Sequence, residues 1–351
     1  PPAGPPSKVR PPRPPPPFFL AAARRLFGAS RAKNDENCVK SFLPADGVRA
    51  PLAKRGDLCY NGCMERVTVN AHAKLNLTLE VMGREGAYHT LDSLAVSLDL
   101  CDVVRAVRRP QEGASVVMRG MGCEHLPPQE NNAVRAAEMF FAAFPQAEGA
   151  DIAVEKRIPV GGGLGGSSAD AAGVLLALAR LFGVKKEELL PLARALGSDT
   201  ALQLFSGAFR MQGRGDKLTP VAGMPKLYFV LLCPEGGVSS AACFSAFDAL
   251  GGCGSSGMTA RAIARFSAGE LEAAAKECKN DLLPAACSLD PAVGEALNAA
   301  RSLSPLAAGM TGSGSTVFAL FGGREARDRA LERIKQGKFT ALAAESIQNE
   351  E

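Results

Sequence analysis

The 351-residue chain has no Trp, three Tyr and three His, so each Tyr or His in a motif stands out. It has no apolar run near the ~18–20 residues that a membrane-spanning helix needs, which excludes that class of protein. Its ten cysteines, at 38, 59, 63, 101, 123, 233, 243, 253, 278 and 287, include no CxxC pair and no nearby His at zinc-finger spacing. Cys59 and Cys63 lie four apart with no second pair to complete a site, so no metal or disulfide framework is expected and no metal ligands are assigned. The cysteines read instead as reduced, small, buried hydrophobes. G-x-x-x-x-G-K-[ST] does not occur, which excludes a Walker A phosphate loop. Acidic residues are missing from positions 1–33, which carry seven basic ones. The net charge of +4 therefore belongs to this tail and leaves −3 for residues 34–351, so no nucleic-acid or membrane partner is called for.

Ten of the 24 prolines fall within residues 1–17, a density that forbids helix and sheet. The apolar Phe18-Phe19-Leu20-Ala21-Ala22-Ala23 and the basic Arg24-Arg25 follow. Arg-rich and acid-free, this tail fits an organelle transit segment, and equally a disordered extension without an address. Residues 34–64 read as a continuing linker. The remaining length suits one large domain or two ordinary ones.

From Val67 to Val81 every odd position is apolar and every even one polar. That period predicts one β-strand with His72, Lys74 and Asn76 side by side on a face open to solvent or ligand. An ordinary half-exposed strand has the same pattern. The turn-rich Gly83–Thr90 stretch holds Tyr88 and His89, a pair able to stack on and hydrogen-bond a planar base. A second alternating run follows at Leu94, Val96, Leu98 and Leu100.

Residues 151–157 read as a short strand with Ile152 and Val154 facing a core. Pro159-Val160-Gly161-Gly162-Gly163-Leu164-Gly165-Gly166-Ser167-Ser168-Ala169 then leads into a helix-forming run from Ala171 to Phe182. A strand, a glycine loop and a helix N-terminus together make an anion site, because glycines admit a phosphate close to the backbone and the free amides face it. Ser167 or Ser168 is expected to cap the helix and donate to a phosphate. Gly161-x-Gly163-x-x-Gly166 also satisfies the dinucleotide pattern. The acid expected about 20 residues on, however, falls at Glu187-Glu188 inside a second helical segment, so the dinucleotide reading fails. Two more small-residue loops, Leu196-Gly197-Ser198-Asp199-Thr200 with Gly213-Arg214-Gly215, and Gly309–Ser315 ahead of the strand-like Thr316–Phe321, suggest one shared nucleotide pocket.

In this order the motifs resemble the GHMP small-molecule kinases, over about Val67 to Phe321. The glycine loop marks the superfamily. Ala73-Lys74-Leu75-Asn76-Leu77, Tyr88-His89 and Gly197-Ser198-Asp199, with Asn280-Asp281-Leu282 and Thr311–Ser315, resemble the members that act on a cytidine-diphosphate sugar alcohol in isoprenoid precursor synthesis. The resemblance implies a mixed α+β, two-domain fold with ATP and substrate in the interdomain cleft. Its domains would be 65–224, carrying the ATP loop, and 225–351, with 1–64 as the tail. It implies transfer of phosphate from ATP, with Mg²⁺, to the C2 hydroxyl of that small molecule. Lys74 and Asp199 would be the catalytic pair, and Pro159–Ala169 would bind ATP. Tyr88 and Phe244 would sandwich the cytosine, His89 would read its edge, and Asn76 and Ser240 would position the substrate.

The chain departs from the usual pattern in three places: His72 stands where Pro is usual, the loop ends Gly166-Ser167-Ser168-Ala169-Asp170, and Thr200-Ala201 follows Asp199. The Ser of Gly-Ser-Asp resembles the plastidial plant and algal members, which favours the transit reading of the tail. A mevalonate- or homoserine-type kinase and a catalytically dead nucleotide-binding homologue are the alternatives. A base-free substrate would give Tyr88 and Phe244 nothing to stack on, and intact Lys74 and Asp199 speak against a dead homologue.

Overall fold

The computed structural model describes residues 65–86, 88–122, 131–252, 256–334 and 337–348. The Pro/Arg-rich tail and linker, with Cys38, Cys59 and Cys63, lie outside the described residues, as do Cys123 and Cys253.

Two antiparallel-dominated sheets organise the chain. The first contains β1 (Arg66–Asn76), β2 (Glu80–Glu85), β3 (Tyr88–Arg109), β4 (Gly113–Gly120), β5 (Gly149–Lys156), β6 (Ala208–Gly213) and β7 (Lys217–Pro220). The long β3 is its spine, pairing with β2 and β6 through its first half and with β1 and β5 further along. Helices α1 (Asn132–Ala143) and α2 (Gly166–Phe182) bury against this sheet around Phe140, Ile152 and Leu175. Ile152 and Val154 of β5 are fully buried, matching the expected core face. Helix α2 is apolar nearly all round because it is enclosed on most sides. Gly173 allows the close approach: a Cβ there would lie 2.7 Å from Val104 Cγ2 and 2.8 Å from Ala71 Cβ.

After α2, a 3₁₀ turn (Lys186–Leu189) runs into α3 (Leu190–Leu196), and α4 (Ser198–Gln203) leads to β6. The second sheet has the order β11-β8-β10-β9, from β8 (Tyr228–Cys233), β9 (Ala307–Met310), β10 (Val317–Phe321) and β11 (Thr340–Glu345). Around it lie α5 (Ser240–Ala249), α6 (Met258–Ser267), α7 (Leu271–Ala275), α8 (Leu283–Leu289), α9 (Pro291–Ser302) and α10 (Arg324–Ile334). The mixed α+β class is as expected. Among the described residues no helix is long and apolar enough to cross a membrane.

The single strand predicted over Val67–Val81 is in fact two. The chain leaves the sheet at Leu79, whose N–H donates to Lys279 O at 2.9 Å and whose carbonyl accepts from Asp281 N at 2.9 Å. The expected open polar face is also buried from Lys74 onward: Lys74, Asn76, Thr78 and Glu80 are all under 6% exposed. His72, unlike Lys74 and Asn76, is only partly buried. The register jumps from His72↔Cys101 to Lys74↔Ser97, so residues 98–100 bulge opposite Ala73, and His72 Nδ1 lies 2.8 Å from Leu98 O. The bulge also receives the C-terminal chain: Ile347 N donates to Ser97 O at 2.9 Å and Glu345 N to Asp99 Oδ1 at 2.8 Å.

The described cysteines, Cys101, Cys233, Cys243, Cys278 and Cys287, are free. Burial pushes the Cys243 thiol up to about 11 and the Cys278 thiol to about 12, which keeps them protonated and inert.

Glu80 is the least expected of the buried charges. Its carboxylate accepts from Ser256 N (2.9 Å), Met258 N (3.2 Å) and Thr259 N (2.8 Å), capping α6, which has no side-chain cap of its own. Removing it leaves buried amides unsatisfied. Glu80→Ala is therefore expected to lower unfolding stability by about 2–3 kcal/mol in a urea titration, with the m-value unchanged.

Candidate active site

The residues singled out from the sequence converge on one cleft of about 1190 Å³. Lys74, Asn76, Tyr88, His89, Asp199, Ser240 and Phe244 line it, together with every residue from Pro159 to Ser168. Ala169 does not: it is fully buried, and its N–H is already bonded to Gly165 O at 2.8 Å.

The end of β1 is the anchor. Lys74 N–H donates to Leu164 O at 3.0 Å, tying the strand to the glycine loop. Asn76 N–H donates to Thr311 Oγ1 at 2.9 Å, and that hydroxyl reaches Gly163 O at 3.4 Å. Side chains follow the same logic. Lys74 Nζ donates to Asn76 Oδ1 at 2.6 Å, and Asn76 Nδ2 donates to Ser93 Oγ at 2.8 Å. A buried ammonium held by a braced amide has little freedom to swing. Its Nζ lies 3.5 Å from Asp199 Oδ2, and Asp199 is about one-third exposed (33%) to the cleft.

Asp199 sits in the first turn of α4, just past Gly197. Both residues of the Thr200-Ala201 departure are fully buried: Ala201 joins the core of the first sheet, whereas the Thr200 hydroxyl has no hydrogen-bond partner among the described residues. The Gly213–Gly215 turn abuts this segment: a Cβ on Gly215 would lie 3.1 Å from Ser198 Cβ.

The glycine loop is pinned from below. Leu164 is buried in the core, Thr316 N donates to Gly162 O at 3.1 Å, and Gln203 Nε2 donates to Gly165 O at 3.2 Å. Gly163 has φ +76°, and a Cβ there would fall 2.4 Å from Thr311 O, so no other residue fits. Helix α2 begins at Gly166, earlier than the expected Ala171, and its cap is Gly165 in the left-handed conformation. Ser167 and Ser168 therefore lie inside the first turn and do not cap it. Ser167 Oγ instead accepts from Asn132 Nδ2 at 2.9 Å. Gly166, Ser167 and Ser168 of the first turn line the cleft, where the free amides of a helix N-terminus suit an anion. Asn280 braces the third loop, donating from Nδ2 to Met310 O (2.9 Å) and Gly312 O (2.8 Å), and Ser313 Oγ meets Ser240 Oγ at 2.9 Å.

At the opposite wall the rings have partners. His89 stacks on Phe244 with centroids 4.6 Å apart and planes 18° apart, and the Arg214 guanidinium lies 3.4 Å from the Tyr88 ring centroid. His89 Nε2 is 2.8 Å from Asp248 Oδ1, and this bond holds the Asp248 carboxyl below its usual range. Arg214 occurs in a motif that drew no role for it, and Asp248 drew no attention at all. The one signal for Asp248 was its spacing, four residues after Phe244 on a helix.

A third overlooked group lies under the loop. Lys156 Nζ donates to Asp170 Oδ2 at 2.7 Å and also to Asp102 Oδ2, and a Cβ on Gly166 would sit 3.3 Å from that ammonium. Burial, with help from the nearby Asp102 carboxylate, pushes Asp170 up to about 8 against the pull of Lys156. A carboxyl whose folded pKa exceeds its unfolded value of about 4 stabilises the fold while protonated, and that contribution is lost as pH rises through about 8. Wild-type stability should thus fall between about pH 4 and pH 8, by up to about 1.4 kcal/mol per unit at its steepest, and level off above that. Asp170→Asn, measured by denaturant unfolding across the same range, should flatten that slope.

Comparison with known proteins places these features among relatives. Residues 131–207 match the family described as GHMP kinases N terminal domain, and residues 259–339 match GHMP kinases C terminal. The 4-diphosphocytidyl-2-C-methyl-D-erythritol kinase of Cutibacterium acnes is 37% identical over 71% of this chain and 84% of its own length. That of a Polaromonas species is 39% identical over 72% and 82% respectively. A crystal structure of 4-(cytidine 5'-diphospho)-2C-methyl-D-erythritol kinase superposes with a TM-score of 0.66 at 31% identity, covering 80% of this chain and 98% of the other. Homoserine kinase from Cytophaga hutchinsonii reaches the same TM-score, 0.66, at 18% identity over 84% of this chain and 98% of its own, a likeness of fold alone.

Proposed function

Because the chain belongs to the GHMP kinases, in the family of 4-diphosphocytidyl-2-C-methyl-D-erythritol kinases, we propose that its cleft phosphorylates the C2 hydroxyl of 4-(cytidine 5'-diphospho)-2-C-methyl-D-erythritol. The reaction belongs to the non-mevalonate route to isoprenoid precursors, and the enzyme is a phosphotransferase with an alcohol acceptor. ATP is the co-substrate. The observation that carries this reading is the Lys74–Asp199 pair, 3.5 Å apart beside the glycine loop in one cleft.

Asp199 accepts the proton of the attacking hydroxyl as that oxygen bonds to the γ-phosphorus and the bond to the β-phosphate oxygen breaks, releasing ADP. Lys74, held by Asn76, stabilises the negative charge that develops on the transferring group and the attacking oxygen. The carbon that carries the attacking hydroxyl also bears the methyl branch, so that hydroxyl is tertiary and orientation matters more than usual. Asn76 and Ser240 supply that orientation. The loop Pro159–Ser168 and the first-turn amides of α2 cradle the ATP phosphates, while Ala169 contributes by holding the turn closed.

Mg²⁺ fits the donor set. Asp199 and the hydroxyls of Ser167 and Ser168 are hard oxygen donors lining the cleft. With so few carboxylates among these donors, phosphate and water oxygens would supply the rest of its coordination. When bound, it would offset phosphate charge.

The base-facing wall favours a cytidine substrate over a mevalonate- or homoserine-type one. Tyr88 and Phe244 line the cleft with aromatic surface and His89 with an imidazole, none of which a small base-free acid would use. The division into domains 65–224 and 225–351 rests on the two sheets, whose strands end at Pro220 and resume at Tyr228. Residues 1–64 act as a plastid transit segment and linker, a reading supported by their composition.

In an ADP-release assay with ATP, Mg²⁺ and the cytidylylated methylerythritol, the protein should turn over, and Asp199→Asn should lose at least about 100-fold in kcat. Absence of wild-type turnover, or equal rates in the variant, would overturn the mechanism. Residues 1–64 fused to a fluorescent reporter should carry it into plastids, whereas a cytosolic signal refutes the transit reading.

A further inference from the structure

Asp248 has no part in the chemistry above, yet it is built into the wall that faces the base. It lies one helical turn beyond Phe244 on α5, so both side chains share a face of that helix. Its Oδ1 is 2.8 Å from His89 Nε2, and its Oδ2 is 3.3 Å from an Arg84 nitrogen. Arg84 and His89 are cross-strand partners of β2 and β3, so Asp248 clamps both strands of one hairpin.

An ionised carboxylate can only accept hydrogen bonds, so the hydrogen between the two residues is on Nε2. In the neutral imidazole Nδ1 is then a lone-pair acceptor. The ring plane is set as well, being only 18° from that of Phe244 at a centroid separation of 4.6 Å. A planar base coplanar with this imidazole therefore meets it edge to edge. At carbon 4 cytosine presents an amine, a donor, where uracil presents an acceptor oxygen. The acceptor Nδ1 pairs with the first and repels the second.

We propose that Asp248 is a positioning residue that sets base specificity: by accepting from Nε2–H it fixes the tautomer and plane in which His89 Nδ1 accepts a hydrogen bond from the exocyclic amine of cytosine. This rests on the reading of His89 as the residue that meets the base of a cytidine-linked substrate. A purely structural Asp248 would tie α5 to the hairpin and leave base preference untouched.

The full-length protein and its Asp248→Asn and Asp248→Glu variants would be assayed with the cytidine- and uridine-diphosphate-linked methylerythritols. Imidazole ¹⁵N spectra would be recorded at about pH 8, well above the ordinary histidine pKa. With three histidines in the chain, His89→Gln identifies the relevant signals. The wild type should show His89 as the Nε2–H tautomer. Asp248→Asn can also donate to Nε2, which permits the other tautomer. It should raise KM for the cytidine substrate about tenfold, cut the cytidine-over-uridine preference by a similar factor, and leave the loss in KM rather than kcat. Asp248→Glu should restore most of that preference. Unchanged KM and preference in Asp248→Asn, or an Nδ1–H tautomer in the wild type, would overturn the proposal. A wild type inactive on the cytidine substrate would instead sink the substrate reading, and the spectra would still decide the Asp248–His89 pairing.

Discussion

The molecule depends on the last three residues of β1. Through the amides of Lys74 and Asn76, that strand end is bonded to the glycine loop at Leu164 and to the third loop at Thr311. Backbone hydrogen bonds in a buried setting are hard to give up, since an orphaned amide costs about 1–3 kcal/mol. The two loops and the strand therefore hold one another in place, and the Lys74 side chain is carried by the element that fixes its neighbours. Preorganisation of this kind is what electrostatic catalysis requires, because the charge is in position before any charge develops.

Much of this was legible in the residues. The glycine loop was recognisable from composition and from the strand and helix on either side of it, because only a close backbone approach justifies so many glycines. Lys74 and Asn76 were placed together by period-two spacing, and the structure joins them at 2.6 Å. The same spacing misled at both ends. It cannot register a bulge on the facing strand, so the backbone partner of His72 at Leu98 was not foreseen. Nor can it show a change of partner, so the exit of the chain at Leu79 toward residues 279–281 was hidden. Burial of Glu80 was invisible for the same reason: its partners lie some 180 residues away on α6, where no local pattern points.

The helix start was missed on different grounds. Ser167 and Ser168 are good cap residues, but cap preference describes an isolated helix end. Here Gly165, held by Gln203 from α4, supplies the left-handed turn that a serine would adopt at a cost. The Lys156–Asp102–Asp170 group was likewise unreadable, because its members come from β5, β3 and α2 and meet only in three dimensions.

The bulge at residues 98–100 has a consequence for how the chain is made. Its partners are among the last described residues, with Glu345 bonded to Asp99 across a separation of 246 positions. Closing so long a loop is entropically demanding and contributes to a high contact order. During synthesis the first sheet emerges long before β11 exists, so its spine waits with bulge carbonyls and the Asp99 carboxylate unpaired. Completion of the bulge therefore waits for residues 345–347, and a nascent chain stalled before residue 345 leaves those groups exposed to whatever protects or attacks them.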